Sequence, residues 1–497
     1  MTVPFNTIPA NLRVPFFYGE MDASQASYFS FNKRTLILGQ MLAAGAAAGA
    51  ANVPVLVSSV SQAQQFFGRG SMLARMFAKY RGVDAAGEVW VIPQLDNAAG
   101  VAATGQVTVT GPASGSGTIN LYVAGQLVQA GVTLGDTATA IAAALAAAIN
   151  AAPDLPVTAS SAAAVVAVAA RHKGVLGNDI TLVDSFYGSV AGESLPAGVA
   201  LAYTAMAGGT ANPALAAAVS AMGDEPYDYV VCPYVDAASL NALQTEMGEA
   251  TGRWAYNRQL YGHVYSALRG TLSALVTFGQ TRNDPHVTVA GFEPDVPTPA
   301  DEYAAVYAGC NAVFLNANVS RPTQTGELVG VKAARAGRRF LWSERQSLLN
   351  YGIATSVVQS GAVLIDRAIT TYQKNAQGFT DASYLDSETL HQSAEFLRRM
   401  RLVIAKYGRH SAASDGTRFG AGAAVVTPKV MAAELDAEYR RMEEDGLVEN
   451  FAAWKKARIV ERDANNPNRF NLLLTPDYVN QLRIVAAVNQ FRLQFAA

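Results

Sequence analysis

The chain has 497 residues, half of them hydrophobic, yet only 15% are charged and the formal net charge is −2. This length predicts two to four domains, and the small charged fraction predicts a surface largely covered, most simply by further copies of the chain. The balanced charge argues against nucleic acid or a membrane as the main partner. Two cysteines, Cys232 and Cys310, are too few for a disulfide framework, so we expect buried, unreactive thiols and assembly in a reducing cytoplasm.

The first 30 residues predict an extended N-terminal arm. Prolines stand at positions 4, 9 and 15, aromatic residues at 16, 17, 28 and 29, and no helical period is present. Such a segment has too few contacts with itself to stay ordered alone, so it either frays or lies on a neighbouring subunit. In the second case the residues predicted to pair with the neighbour are Phe16, Phe17 and Tyr18. The start also lacks the basic and apolar regions of a secretory signal, which argues against export by that route.

An alternating order of strands and helices over residues 31–97 and 207–342 predicts a split α/β core. Its predicted elements include the strand runs EVWVIPQ and HVYSALR and a helix from 239 to 257. Within it, Thr35–Val57 carries no charge and is long enough to span a bilayer. Its middle is Ala and Gly, however, and Asn52-Val53-Pro54 interrupts it. Two buried strands joined by a loop are therefore the better interpretation.

Residues 98–206 interrupt this alternation with a segment rich in Gly, Ala, Thr and Ser. Runs such as QVTVTG and TINLYVAGQLV have the period of two that is typical of half-buried strands, and the Ala-rich run TATAIAAALAAAIN predicts a helix. We therefore predict an inserted β-rich α+β domain. The predicted fold class is an α/β core with this insertion, an α+β C-terminal domain and extended terminal arms.

Residues 343–477 predict the C-terminal domain, with two strands around Gln359-Ser360-Gly361 and a helix from about 387 to 407. A second helix is expected after Thr427-Pro428, where Thr caps and Pro occupies the first turn. Residues 478–497 read as apolar strands that must pair within their own sheet or with another subunit. The residues predicted to pair between subunits here are Leu482, Ile484, Val485, Val488, Phe491, Leu493 and Phe495.

No stretch of the sequence completes a catalytic, cofactor-binding or metal-binding motif. Gly68-Arg69-Gly70-Ser71 superficially resembles a phosphate-binding turn, but it lacks the Lys of a Walker loop and the third glycine of a dinucleotide turn, so a tight turn between two helices is favoured. The five histidines show no i, i+4 pair, and no GxSxG elbow occurs. We therefore predict no enzyme activity and no cofactor.

Several stretches, spread over the whole chain, together resemble the tail sheath proteins of contractile phages, in particular their Mu-like branch. These are VPVLVSSVSQAQQFFGRGSMLARM, LPVTAS with ARHKGVLGNDI, ERQSLLNYGIATSVVQSGAVLIDRAITTYQ, and SDGTRFGAGAAVVTPKVMAAEL with DGLVEN. The resemblance implies a core of subtilisin-like topology and a structural role in hexameric rings stacked around an inner tube. In these rings it implies that residues 98–206 face outward and that residues 343–477 form the inner sheath domain. It also implies arms that add strands to neighbouring subunits, baseplate and tail terminator proteins as partners, and a place in the virion tail sheath.

The basic runs RRMR and KKAR are usually solvated faces of helices or strands. In a sheath subunit they could instead contact the inner tube through charge, in a way that permits release during contraction. The residues predicted for this contact are Arg398, Arg399, Arg401, Lys455, Lys456 and Arg458.

Two other functions stay open from the sequence. The sheath of a headless injection device, such as an R-type pyocin, would share every feature above. An enzyme built on the α/β core is the rival from another class, although it is supported only by the alternation of strands and helices.

Overall fold

The computed structural model describes Val14 and residues 33–46, 50–420 and 422–492. Strands and helices alternate through much of these ranges and form several sheets, which confirms the mixed α/β class. No helix within the described ranges is long and apolar enough to cross a membrane. The strands, in chain order, are β1 Arg34–Gln40, β2 Val55–Leu56, β3 Glu88–Gln94, β4 Ala102–Thr110, β5 Gly117–Val123, β6 Gln126–Val132, β7 Val157–Ala162, β8 Val165–Lys173, β9 Leu182–Asp184, β10 Ala200–Ala207, β11 Tyr229–Val231, β12 His263–Arg269, β13 Val287–Phe292, β14 Thr355–Gln359, β15 Ala362–Arg367, β16 Ser411–Ala412, β17 Val425–Val426, β18 Ile459–Arg462 and β19 Phe470–Leu473. The helices are α1 Val60–Phe67, α2 Met72–Arg81, α3 Ala138–Asn150, α4 Ala216–Ala221, α5 Ala237–Met247, α6 Leu272–Gln280, α7 Ala300–Ala317, α8 Trp342–Asn350, α9 Ser387–Ala405, α10 Pro428–Glu444 and α11 Phe451–Ala457.

The central sheet has six strands in the order β13–β12–β11–β1–β3–β2. All neighbours are parallel except β2, which runs antiparallel to β3. In the middle of the sheet Ile37 lies between Val231 and Val91. Helices α2 and α7 pack against this sheet, which explains why its strands are nearly continuous apolar runs. Because β3 and β11 flank residues 98–206, two separated stretches of chain build one sheet.

Residues 98–206 form two antiparallel sheets with a separate apolar core. The four-stranded sheet has the order β10–β4–β8–β7, and the three-stranded sheet has the order β6–β5–β9. Helix α3 contacts both sheets, and Ile141, Leu145 and Ile149 on its buried face contribute to their shared core.

The C-terminal part combines the β14–β15 hairpin with helices α9 to α11 and the β18–β19 hairpin. Ser360 and Gly361, with φ of 50° and 85°, form the predicted turn of the first hairpin, since both central residues of a tight hairpin turn commonly adopt positive φ. Helices α9 and α10 enclose a core that includes Phe396, Leu435 and Trp454.

Two glycines end helices within the α/β core. Gly68, whose φ of 85° is outside the helical range, begins the predicted turn between two helices and separates α1 from α2. The helix expected from 239 to 257 is wrong beyond Met247, because Gly248 leaves the helical conformation with ψ of 155°.

Candidate assembly surfaces

Residues 474–483 lie against the C-terminal helices of their own chain. Tyr478 packs edge-on against Phe396 of α9, with ring centroids 6.0 Å apart. The side-chain amide of Gln392, also on α9, donates a hydrogen bond of 2.9 Å to the carbonyl oxygen of Val479. The beginning of the predicted C-terminal arm, at residue 478, is therefore part of the packed structure.

Arg483 ends this packed stretch in a cluster of two cations and two carboxylates. Its Nη2 lies 2.9 Å from Oε1 of Glu388 and 3.4 Å from Oδ1 of Asp386. Arg367 donates two hydrogen bonds of 2.9 Å to Asp386, and Glu388, fully buried, also accepts hydrogen bonds from the backbone and hydroxyl of Thr323. No sequence pattern predicts this cluster, and the one local signal for it is the charge of Arg483 within an apolar run.

Residues 484–492 follow Arg483 without regular secondary structure. None of them makes a hydrogen bond or ion pair with the rest of the described chain. The exposed apolar side chains at this end are Leu482 at 70%, Ile484 at 79%, Val485 at 79%, Val488 at 86% and Phe491 at 75%. A run of large apolar side chains at this exposure is typical of a protein-interaction segment, and strand pairing with a neighbour stays a prediction.

The other residues predicted to pair between subunits cannot be placed. Phe16, Phe17 and Tyr18 of the N-terminal arm lie outside the described residues, and so do Leu493 and Phe495.

Two of the basic residues predicted to contact the tube are engaged within the chain. Arg398 Nη1 lies 2.5 Å from Oδ1 of Asp228, and these side chains are only 11% and 4% exposed. Arg399 binds Glu438 at 2.7 Å and Asp445 at 2.6 Å. Both guanidinium groups therefore join α9 to other parts of the same chain, which leaves them less able to meet an external surface.

Of the other four residues predicted to contact the tube, one is paired within the chain and three are exposed. Arg458 donates two hydrogen bonds to the carboxylate of Asp436 on α10. Arg401, Lys455 and Lys456 are exposed, and none of the three makes an ion pair with a described residue. These three side chains are the part of the predicted basic surface that the fold leaves available.

The Gly68–Ser71 segment forms the tight turn between α1 and α2 and faces residues of the 98–206 segment. Arg69 binds the carboxylate of Asp154 with Nη2 to Oδ2 at 2.6 Å. A Cβ added to Gly70, whose φ is 77°, would lie 2.6 Å from the carbonyl oxygen of Leu155. Backbone from another part of the chain therefore packs directly against this turn.

Both cysteines are buried free thiols, as predicted. Burial raises the pKa of Cys232 and of Cys310 to about 12, so the reactive thiolate is scarce near neutral pH. Within the described ranges, His, Cys, Asp and Glu side chains form no group of three or more that could hold a metal ion.

Comparison with known proteins identifies the family of this chain. Residues 208–371 match the phage tail sheath protein central domain, and residues 380–492 match the phage tail sheath C-terminal domain. The chain is also 38% identical, over 99% of its length and 100% of the relative's, to the Mu-like prophage FluMu tail sheath protein of Haemophilus influenzae. The chain therefore belongs to the Mu-like branch of the phage tail sheath family. It is a structural subunit of a contractile tail sheath and not an enzyme.

One solved structure shows the same fold at much lower sequence identity. The sheath tail protein of Desulfitobacterium hafniense is 11% identical and superposes with a TM-score of 0.50, covering 94% of this chain and 97% of that protein. The sheath tail protein of Listeria innocua is also 11% identical, with a TM-score of 0.47 and coverage of 92% and 94%.

Proposed function

We propose that copies of this chain stack as hexameric rings into a helical sheath around an inner tube, and that contraction of this sheath drives the tube through the host envelope. Baseplate and tail terminator proteins would hold the two ends of the sheath, and assembly takes place in the host cytoplasm. The exposed apolar run at residues 484–492 carries the proposal, because such a segment in a sheath subunit needs a partner and a second copy is the partner always present.

In this proposal the divided stretches 31–97 and 207–342 form a core of subtilisin-like topology, and residues 98–206 face outward. Residues 343–477 face the inner tube. The N-terminal arm and the residues after 483 add strands to neighbouring sheets. The separate apolar core of residues 98–206 supports their treatment as an inserted domain.

Contraction in this proposal is a movement of rigid cores that stay connected through paired backbone strands. The extended sheath is held by a kinetic barrier, and release lets the cores rotate and slide into a lattice of lower free energy. Backbone pairing suits this role, because hydrogen bonds between strands hold two subunits together without fixing the angle between their cores.

Removal of residues 484–497 tests the proposal. The truncated chain keeps Tyr478 and Arg483 in their packed positions, so we expect an unchanged melting temperature and no sheath-length polymers by negative-stain electron microscopy. The matched control is the full chain with Asn489→Ala and Gln490→Ala, which changes only exposed polar groups of the same segment and should polymerise normally. Polymers of normal length from the truncated chain would contradict the proposal.

The relative in a Mu-like prophage favours a phage tail over a headless injection device. Whether particles purified from cells that express the whole gene cluster carry DNA-filled heads distinguishes these two assemblies.

A further inference from the structure

The C-terminal segment changes character at one residue, Arg483. Before it, Gln481 donates a hydrogen bond of 3.1 Å to Gln392 on α9, and the carbonyl oxygen of Leu482 accepts one of 3.4 Å from Gln324. After it, Ile484 is 79% exposed, and the described residues up to 492 make no polar contact with the rest of the chain. The change coincides with the ion-pair cluster that Arg483 completes.

We infer that Arg483 is a positioning residue that fixes residues 478–483, here called the root, on their own subunit. The exchanged segment is the part of the chain after residue 483. Residues 478–483 stay on their own subunit, and only the residues after 483 leave it to pair with a neighbouring copy. This inference rests on the proposed strand exchange between subunits and specifies where that exchange begins.

Burial is the reason for expecting the root at this residue. Arg483 is 11% exposed and faces Glu388, which is fully buried. Removal of the guanidinium would leave a carboxylate without its cation in a desolvated site, and this is much more costly than breaking an exposed pair. A pull on residues 484–492 is therefore expected to bend the chain after Arg483 before it separates the ion pair.

The same helix connects the root to the central sheet. Glu388 and Gln392 on α9 hold the segment, and Arg398, further along α9, binds Asp228 immediately before β11. A displacement applied to the exchanged segment would reach the core along this helix, and also through the contacts of Arg367 and Gln324. The geometry thus supplies a short, polar and largely buried connection between the segment that a neighbour holds and the body that moves during contraction.

Tryptic cleavage of the unpolymerised protein, isolated by size exclusion, tests the root directly. Trypsin must draw an arginine side chain into its pocket, so a guanidinium held in buried ion pairs is a poor site. We expect cleavage after Arg492, which is exposed, to be at least tenfold faster than cleavage after Arg483. Equal rates at the two bonds would overturn the inference.

Neutralising the two carboxylates should release the root. In the double variant Asp386→Asn with Glu388→Gln, we expect the rate ratio between the two bonds to fall below threefold. Glu444→Gln, an exposed acid elsewhere in the chain, should leave the ratio unchanged. If the double variant does not fold, the ratio in the natural sequence still decides the question.

Failure of this inference can be separated from failure of the proposed function. If the chain without residues 484–497 still polymerises, strand exchange is wrong whatever the cleavage ratio. If that chain does not polymerise but Arg483 is cut as fast as Arg492, strand exchange stands and only the root at Arg483 is wrong.

Discussion

Arg398 shows how individual charges hold distant parts of this chain together. Its guanidinium lies 2.5 Å from Asp228 and donates a further hydrogen bond of 3.2 Å to the carbonyl oxygen of Leu260. Both charged side chains are largely buried. A desolvated pair of this kind is stable only while both partners are present, because either one alone is a buried charge without compensation.

We predict that Arg398→Met lowers the free energy of unfolding by about 3 kcal/mol. Arg401→Met, which removes an exposed guanidinium three residues further along the same helix, should change it by less than about 0.5 kcal/mol. Urea denaturation of the two variants makes the comparison. Adding Asp228→Asn to Arg398→Met should recover part of the loss, and equal effects of the two single changes would contradict the expectation.

Three buried histidines make the fold sensitive to acid. Burial lowers the pKa of His263 well below its usual range, lowers that of His286, and, together with the charges of Lys33 and Arg398, lowers that of His391 to about 3. In the unfolded chain each histidine titrates near pH 6.5, so the unfolded state takes up protons first as the pH falls. Their contribution to stability is complete above about pH 6.5 and is lost progressively below it.

We predict that His391→Gln weakens this acid sensitivity. Each neutral buried histidine costs about 1.4 kcal/mol of stability per pH unit in the window between its two pKa values. The slope of unfolding free energy against pH between 6 and 4 should therefore be shallower by about that amount in the variant, as measured by urea unfolding at several pH values. A slope in the variant equal to that of the natural sequence would contradict the prediction.

At the scale of elements, helix α6 approaches the chain after α8 so closely that only glycine fits at the contact. A Cβ at Gly279 would lie 2.1 Å from the carbonyl oxygen of Tyr351. Alanine normally stabilises a helix by about 1 kcal/mol relative to glycine, but this clash is with backbone and cannot be relieved by a side-chain rotation. Overpacking typically costs about 1–3 kcal/mol and therefore outweighs the helical gain.

We predict that Gly279→Ala lowers the melting temperature, whereas Gly131→Ala, where no atom lies within 4 Å of the added Cβ, leaves it nearly unchanged. Differential scanning calorimetry of the two variants provides the measurement. If the melting temperature of Gly279→Ala equals or exceeds that of the natural sequence, the contact relaxes at little cost and the prediction is wrong.

Elements bounded by local signals could be predicted from the sequence. Strands β3 and β12 coincide with the predicted runs EVWVIPQ and HVYSALR, since each is a short apolar run in a sheet covered by helices. Helix α5 could not be placed correctly, because the pattern after Gly248 continues to look helical while the backbone does not. A period of 3.6 indicates which face of a helix is buried, but it does not tell where a glycine ends the helix.

The candidate surfaces were less predictable than the elements. The run RRMR was expected to face solvent or a partner, yet Arg398 binds Asp228, 170 residues away in sequence. Such a pair depends on tertiary packing, which no local pattern encodes. The apolar run after Arg483 was visible in the sequence, whereas the ion pairs at Arg483 were not, because their partners Asp386 and Glu388 lie about a hundred residues earlier.

At the scale of the whole molecule, the fold uses much of its basic charge for internal pairs. Arg399 and Arg458 bind carboxylates on or near α10, and Arg398 binds Asp228, immediately before β11. Contact with an inner tube through charge would then depend on the exposed side chains Arg401 and Lys455 together with Lys456. A surface of this size suits a contact that must be released, since exposed ion pairs contribute little individually and are screened by salt.

We predict that reversal of these three charges, Arg401→Glu, Lys455→Glu and Lys456→Glu, reduces assembly on purified tubes about tenfold, the effect of roughly 1.4 kcal/mol, and leaves tube-free polymers intact. Electron microscopy counts both kinds of particle. The matched control reverses Arg321, Arg338 and Lys374, which are also exposed and lie outside the predicted tube contacts. Because both triple variants change the net charge equally, a loss confined to the first assigns the contact to this surface, whereas an equal loss in both would attribute it to overall charge and remove the surface from the proposal.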